Sequence, residues 1–143
     1  AETFITGIDY YDHPQLCRQK MNELYPELRL PGSTIHLCKG IDERFDGYSA
    51  FDGVDAVGTP LATLLAELGI NHLCIGGLAT DYCIRASVLD ARSRGVTVTV
   101  LIDAIAGVDL QPGDSERALE EMRAAGAVLH TVDQVISQLG RQE

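Results

Sequence analysis

Cys83 is the residue of this 143-residue chain whose type and place could do covalent chemistry. It follows a short uninterrupted apolar run, Leu73-Cys74-Ile75, then Gly76 and Gly77, then Leu78-Ala79-Thr80-Asp81-Tyr82. Beyond it, Ile84, Val88 and Ala91 recur at the spacing of an amphipathic helix. The apolar run reads as a buried strand and the glycines as a sharp turn. Cys83 then falls in the first turn of the helix, with Thr80 or Asp81 as N-cap. Backbone N–H groups at a helix start lack intrahelical partners, and the helix dipole favours an anion, so a thiolate forms more easily there. Position alone is equally that of a small buried hydrophobe, which is what most free cysteines are.

A thiolate nucleophile gains from a neighbouring cation, and Lys39 is the candidate; read singly, it is also compatible with a solvated surface lysine. Backbone N–H groups of the turn, notably those of Ala79 and Cys83, could hold the oxyanion of a tetrahedral intermediate. The reaction also needs a general acid and base. The candidate carboxylates are Asp9, Asp12 and Asp103, the last also readable as a capping carboxylate. Among the histidines, His36 and His72 flank or lie in strands and read as packing residues. His130 reads as a surface or cap residue, and only His13 sits in a candidate loop.

The elements that must position these groups follow from pattern. Residues 3–8 are compatible with a strand, and Asp9 to Pro14 form a polar-aromatic loop. Gln15 to Leu28 is compatible with a short helix stopped at Tyr25-Pro26. Ser33 to Cys38 reads as a strand ending at Lys39-Gly40, followed by an aperiodic, aromatic stretch through Gly53 of the length that functional loops have. Thr59-Pro60 opens a helix carrying Leu61, Leu64, Leu65 and Leu68, stopped at Gly69. Val96 to Ile102 is the clearest strand, β-branched almost throughout. Asp114-Ser115 caps a helix that Gly126 stops, Ala127 to Leu129 is a short strand, and Thr131 opens a final helix.

From Pro60 onward helix and strand alternate, which predicts an α/β fold: a mostly parallel sheet with helices on both faces, in three layers. Ligands of such sheets bind outside the carboxyl ends of the strands, where Lys39, the Gly76–Cys83 turn and Asp103 all fall. The length predicts a single domain over residues 1–143. A net charge of -10 argues against nucleic acid and gives no support for an anionic membrane surface. No window approaches the ~18–20 continuous apolar residues of a membrane span. Ala1-Glu2-Thr3 lacks the basic and apolar regions of a secretory signal. Cys17, Cys38, Cys74 and Cys83 form no C-x-x-C pair, and Cys38 and Cys74 read as reduced and packed. The class expected is a cytoplasmic enzyme or binding protein.

Gly77-Leu78-Ala79-Thr80-Asp81-Tyr82-Cys83, with Ala86 and Asp90-Ala91 beyond it, resembles the nucleophile motif of the nicotinamidases, within the isochorismatase-like cysteine hydrolases. Lys39-Gly40 with Tyr48-Ser49-Ala50-Phe51 resembles the segment that carries the family's lysine and an aromatic pocket residue. Asp103-Ala104 and the 120–126 stretch fit the closing strand and helix, and the likeness spans roughly residues 24–137. It implies hydrolysis of nicotinamide, a small-molecule carboxamide, to nicotinate and ammonia, a step of NAD salvage. Cys83 would form a thioester assisted by Lys39. A cis Leu78–Ala79 peptide would aim the Ala79 N–H, with that of Cys83, at the oxyanion, and Tyr48 and Phe51 would line the ring slot. The resemblance also implies a divalent metal such as Zn²⁺, whose ligand loop reads D-x-H-x-x-x-H. Here Asp9 to Pro14 resembles a shortened remnant, with Tyr11 where the first histidine would stand and Leu16 where the last would, so the metal ligands stay unassigned. No segment before Lys39 matches the family's first strand and its catalytic aspartate well, and the expectation is a chain lacking that strand. Two rival readings stand beside the hydrolase: a catalytically impaired binding or scaffold protein, and a related carboxamide or ureido hydrolase. Self-association into a homo-oligomer stays open.

Overall fold

The computed structural model describes residues 29–40 and 42–141. The strand expected at 3–8, the loop at 9–14 and the helix at 15–28 lie outside the described residues. From Leu61 the chain alternates as its pattern predicts: α1 (Leu61–Glu67), β1 (His72–Leu78), α2 (Arg85–Ser93), β2 (Thr97–Ala106), α3 (Asp114–Ala124), β3 (Val128–His130) and α4 (Val132–Gly140). The strands form a parallel sheet in the order β1-β2-β3. No helix among the described residues is long and apolar enough to cross a membrane.

Period-two alternation and register put Leu73 and Ile75 of β1 beside Val98 and Val100 of β2 on one face. That face meets Val88 and Ala91 of α2 and Ala118 and Met122 of α3 in one core, with Leu61 and Leu65 of α1. Val88, Ala91, Val100 and Met122 have no exposed surface. Each side chain of that size contributes about 1.5–3 kcal/mol by leaving water, so this layer anchors both ends of the cysteine turn.

Four sequence expectations need correction. Ser33 to Cys38 is not a strand: Cys38 makes an isolated antiparallel bridge with Val54, which bridges Pro60 in turn. The N-cap before the cysteine is Ala79, without a side-chain cap, and Thr80–Ile84 is a π-helical turn preceding α2. Asp81 is drawn away from capping by better donors in a neighbouring loop. Cys38 is a disulfide cysteine, whereas Cys74 and Cys83 are thiols. Apolar flanks indicate burial but carry no information on whether a second sulfur is within bonding geometry. His72, expected to pack, is exposed and its ring nitrogens bond the hydroxyls of Thr97 (2.6 Å) and Thr99 (3.1 Å).

β2 is longer than its β-branched run suggests, and a bulge explains why. Ile75 pairs with Val100 but Gly77 pairs with Ile105, so β2 carries extra residues opposite Gly76. A β-carbon at Gly76 would sit 3.2 Å from the Ala104 carbonyl oxygen, so the glycine permits the two backbones to close around the bulge.

Candidate active site

The lysine and the cysteine, 44 positions apart, meet. Lys39 Nζ donates to Cys83 Sγ at 3.0 Å and to the carbonyl oxygens of Gly47 (2.8 Å) and Tyr48 (3.0 Å). An ammonium has three N–H donors, and these three acceptors hold its position as well as its charge. Lys39 is only 6% exposed, so the ion–sulfur contact is made in a medium much less screening than water. Behind the sulfur lies a small apolar cavity of about 40 Å³, bounded by Phe51, Leu61, Ile75, Gly76 and Ser87. It is too small for a pyridine ring and keeps that side of the pair dry.

The loop that supplies Gly47 and Tyr48 is fixed from below. Ser49 caps the 3-10 turn Ala50–Asp52 by accepting from the Phe51 N–H at 3.1 Å. Ser87, one turn beyond Cys83 on α2, accepts from the Ala50 N–H at 2.8 Å. The guanidinium of Arg94, at the end of α2, lies 4.8 Å from the Phe51 ring centroid, which adds a cation–π contact. Asp52, in the same 3-10 turn, has its carboxyl pushed up by burial and by the charges of Asp90 and Asp46, against the pull of Lys39 and Arg94. One helix therefore carries the cysteine at its start and anchors the lysine's loop along its length.

The Leu78–Ala79 peptide is cis and leads directly into the π-helical turn. Tyr82 and Ile84 both donate backbone N–H to the Ala79 carbonyl, at 3.1 and 3.0 Å, which wraps the turn around that peptide. Gly77 has φ +118, a conformation open to glycine alone, and lets β1 bend into it. The Tyr48 and Tyr82 rings lie 5.4 Å apart at 55°, an aromatic pair beside the cysteine. Phe51 borders the small cavity, whereas Tyr48 faces Tyr82.

Of the candidate carboxylates, Asp103 is committed elsewhere. Its Oδ1 accepts from the Val132 N–H at 2.9 Å and so caps the start of α4. Asp9, Asp12, His13 and Leu16 lie outside the described residues, and among the described residues no group of three or more His, Cys, Asp or Glu could hold a metal ion. Sequence reasoning passed over Ser87 and Tyr82. The spacing of Ser87, four after Cys83 on a helix, was the available signal for the first; nothing in the pattern singled out the second.

A family model described as the isochorismatase domain matches residues 19–134. The nicotinamidase of Escherichia coli (strain K12) is 40% identical over 131 residues, covering 90% of this chain and 62% of that one. The crystal structure of the pyrazinamidase of Pyrococcus horikoshii in complex with zinc aligns with a TM-score of 0.63 at 37% identity, covering 73% of this chain and 55% of that one. PnC1 from L. infantum in complex with nicotinate aligns with a TM-score of 0.57 at 32% identity, covering 68% of this chain and 48% of that one. The chain thus spans from about half to about three fifths of the length of these proteins.

Proposed function

The chain belongs to the isochorismatase family, and from that premise we propose that it hydrolyses nicotinamide to nicotinate and ammonia, with Cys83 as nucleophile. The observation that carries the reading is the 3.0 Å contact between the buried ammonium of Lys39 and the Cys83 sulfur. A cation held there favours the sulfur as thiolate, the form that attacks. The similarity to a nicotinamidase and to a nicotinate-bound structure supports the choice of substrate.

In this scheme the Cys83 thiolate adds to the carboxamide carbon, and the oxygen takes up the negative charge. The N–H groups of Ala79, at the cap of the π-helical turn, and of Cys83, within it, stabilise that oxyanion. Collapse breaks the C–N bond; the nitrogen leaves as ammonia after accepting a proton from a carboxylic acid. Water then adds to the thioester and gives a proton to the same carboxylate, and collapse releases nicotinate and regenerates the thiolate. Because Asp103 caps α4, Asp9 and Asp12 remain as the carboxylates for that role. Tyr48 and Tyr82 form the aromatic wall that meets the ring, and Phe51, on the small cavity behind the sulfur, backs the lysine–cysteine pair.

Ammonia release from nicotinamide, compared between the chain and its Cys83→Ala variant, tests the proposal. Release that depends on Cys83 is the expected result. Release of equal rate from both would overturn the mechanism, and its absence from the folded parent chain would overturn the activity.

A further inference from the structure

Asp81 lies two residues before Cys83 and is not used by the chemistry above. Both of its carboxylate oxygens are engaged by the loop that follows β2: Oδ1 accepts from the Val108 N–H at 3.0 Å and Oδ2 from the Asp109 N–H at 2.8 Å. Apolar packing does little to hold that loop, for Val108 is 55% and Leu110 72% exposed. Its far side is fixed by polar bonds as well. Asp109 sits at φ 52, an uncommon conformation for a residue with a side chain. Its carboxylate accepts from the Ser115 backbone N–H and from the Ser115 hydroxyl, each at 2.7 Å. The chain closes there only because residue 107 is glycine: a β-carbon would fall 1.7 Å from Ser115 Oγ. Burial pushes the Asp81 carboxyl up, but the N–H donors of Val108 and Asp109 outweigh it and hold it below the usual carboxylate range. Asp81 is therefore ionised, and accepts from both donors, at the pH where a thiol-dependent hydrolase would work.

We propose that Asp81 is a positioning residue that joins the cysteine turn, through the Val108–Asp109 backbone and Ser115, to the start of α3, so that α3 helps to fix how Cys83 faces Lys39. The π-helical turn has no side-chain cap of its own, and Asp81 is the residue within it that reaches another element with both oxygens. The inference builds on the reading of Cys83 as nucleophile, and its first readout is independent of nicotinamide turnover.

A charge argument and a positioning argument give opposite signs, which makes the test decisive. If Asp81 acted only as a nearby negative charge, removing it would favour the thiolate and speed alkylation of Cys83. If it holds the turn, removing it loosens the Lys39–Cys83 contact and slows alkylation. Iodoacetamide labelling of Cys83, read by peptide mass spectrometry in Asp81→Ala, Asp81→Asn and Ser115→Ala, separates the two. The expected result is slower labelling in Asp81→Ala by about threefold or more, an intermediate rate in Asp81→Asn, which retains one acceptor, and slowing in Ser115→Ala, which leaves Asp81 intact. Faster or unchanged labelling of Cys83 in folded Asp81→Ala would overturn the proposal. Where the parent chain releases ammonia, Asp81→Ala is expected to lower kcat by about 10-fold or more with KM little changed; a rise in KM alone would also overturn it. Should the parent release none, the labelling arm still decides the positioning role, so the failure of one reading is distinct from the failure of the other.

Discussion

Replacing Lys39 by methionine keeps most of the side chain's bulk and removes its charge, and the consequence for Cys83 can be worked from the structure. At the observed 3.0 Å, a unit positive charge stabilises a thiolate by roughly 1.4 kcal/mol in a bulk-water dielectric and roughly 5.5 kcal/mol at an effective dielectric of 20. Because Lys39 is 6% exposed, the screening of the pair lies between these two limits. The smaller figure alone corresponds to a factor of about ten in an equilibrium. A more basic thiolate is also a better nucleophile, which returns about half of the logarithmic change. Alkylation of Cys83 at mildly acidic pH should therefore slow by at least about threefold in Lys39→Met. The assay is iodoacetamide labelling followed by peptide mass spectrometry, with Cys74, the other thiol among the described residues, as internal reference. The variant also leaves the carbonyls of Gly47 and Tyr48 without their Lys39 donor, at about 1–3 kcal/mol for each that stays dry, so thermal unfolding must accompany the measurement. Folded Lys39→Met that labels Cys83 as fast as the parent would refute the electrostatic coupling.

Other substitutions test the supports. Ser87→Ala removes the acceptor of the Ala50 N–H and should cost about 1–2 kcal/mol by urea unfolding, with a larger loss of labelling at Cys83 than any effect on Cys74. Thr131→Ala breaks the capping box with Gln134 at the start of α4 and should cost about 1 kcal/mol while leaving Cys83 labelling unchanged. For Asp52, the folded carboxyl binds its proton more tightly than the unfolded chain does. As pH rises from the ordinary carboxylate value through the raised folded one, the unfolded chain loses its proton first and stability falls. Asp52→Asn should match the parent in acid and exceed it at neutral pH by up to about 0.5 kcal/mol; a variant less stable at neutral pH would contradict the sign.

Much of this molecule was legible from local pattern. The Leu61–Leu65 face, the β-branched run from Val96 and the alternation from Pro60 gave the parallel order of the described strands, because burial on one face imposes a period that residue types reveal. The family motif placed Lys39 with Cys83; the rule that strand carboxyl ends share a site pointed the same way, but from a strand at 33–38 that the structure does not form. What stayed hidden depends on where two distant backbones meet. Nothing in Leu101-Ile102-Asp103-Ala104 announces a bulge; it lies where β1 advances from Ile75 to Gly77 while β2 advances from Val100 to Ile105, and Asp103, within it, bonds the start of α4. Ser33 to Cys38 has strand-like residues, but among the described residues it makes one isolated bridge, from Cys38 to Val54, and no ladder. Asp81 looked like a cap because it precedes a helix. Two N–H donors from a loop 27 and 28 positions away compete more strongly than the local ones.

The central claim is that Cys83 carries the acyl group of a carboxamide during hydrolysis. Acid quenching of the chain during turnover of nicotinamide, followed by mass spectrometry of its peptides, measures this directly. The account predicts one nicotinoyl group on the Cys83 peptide of the parent and none in Cys83→Ala. Ammonia released with no acyl group trapped on Cys83, or with the group on another residue, would contradict it.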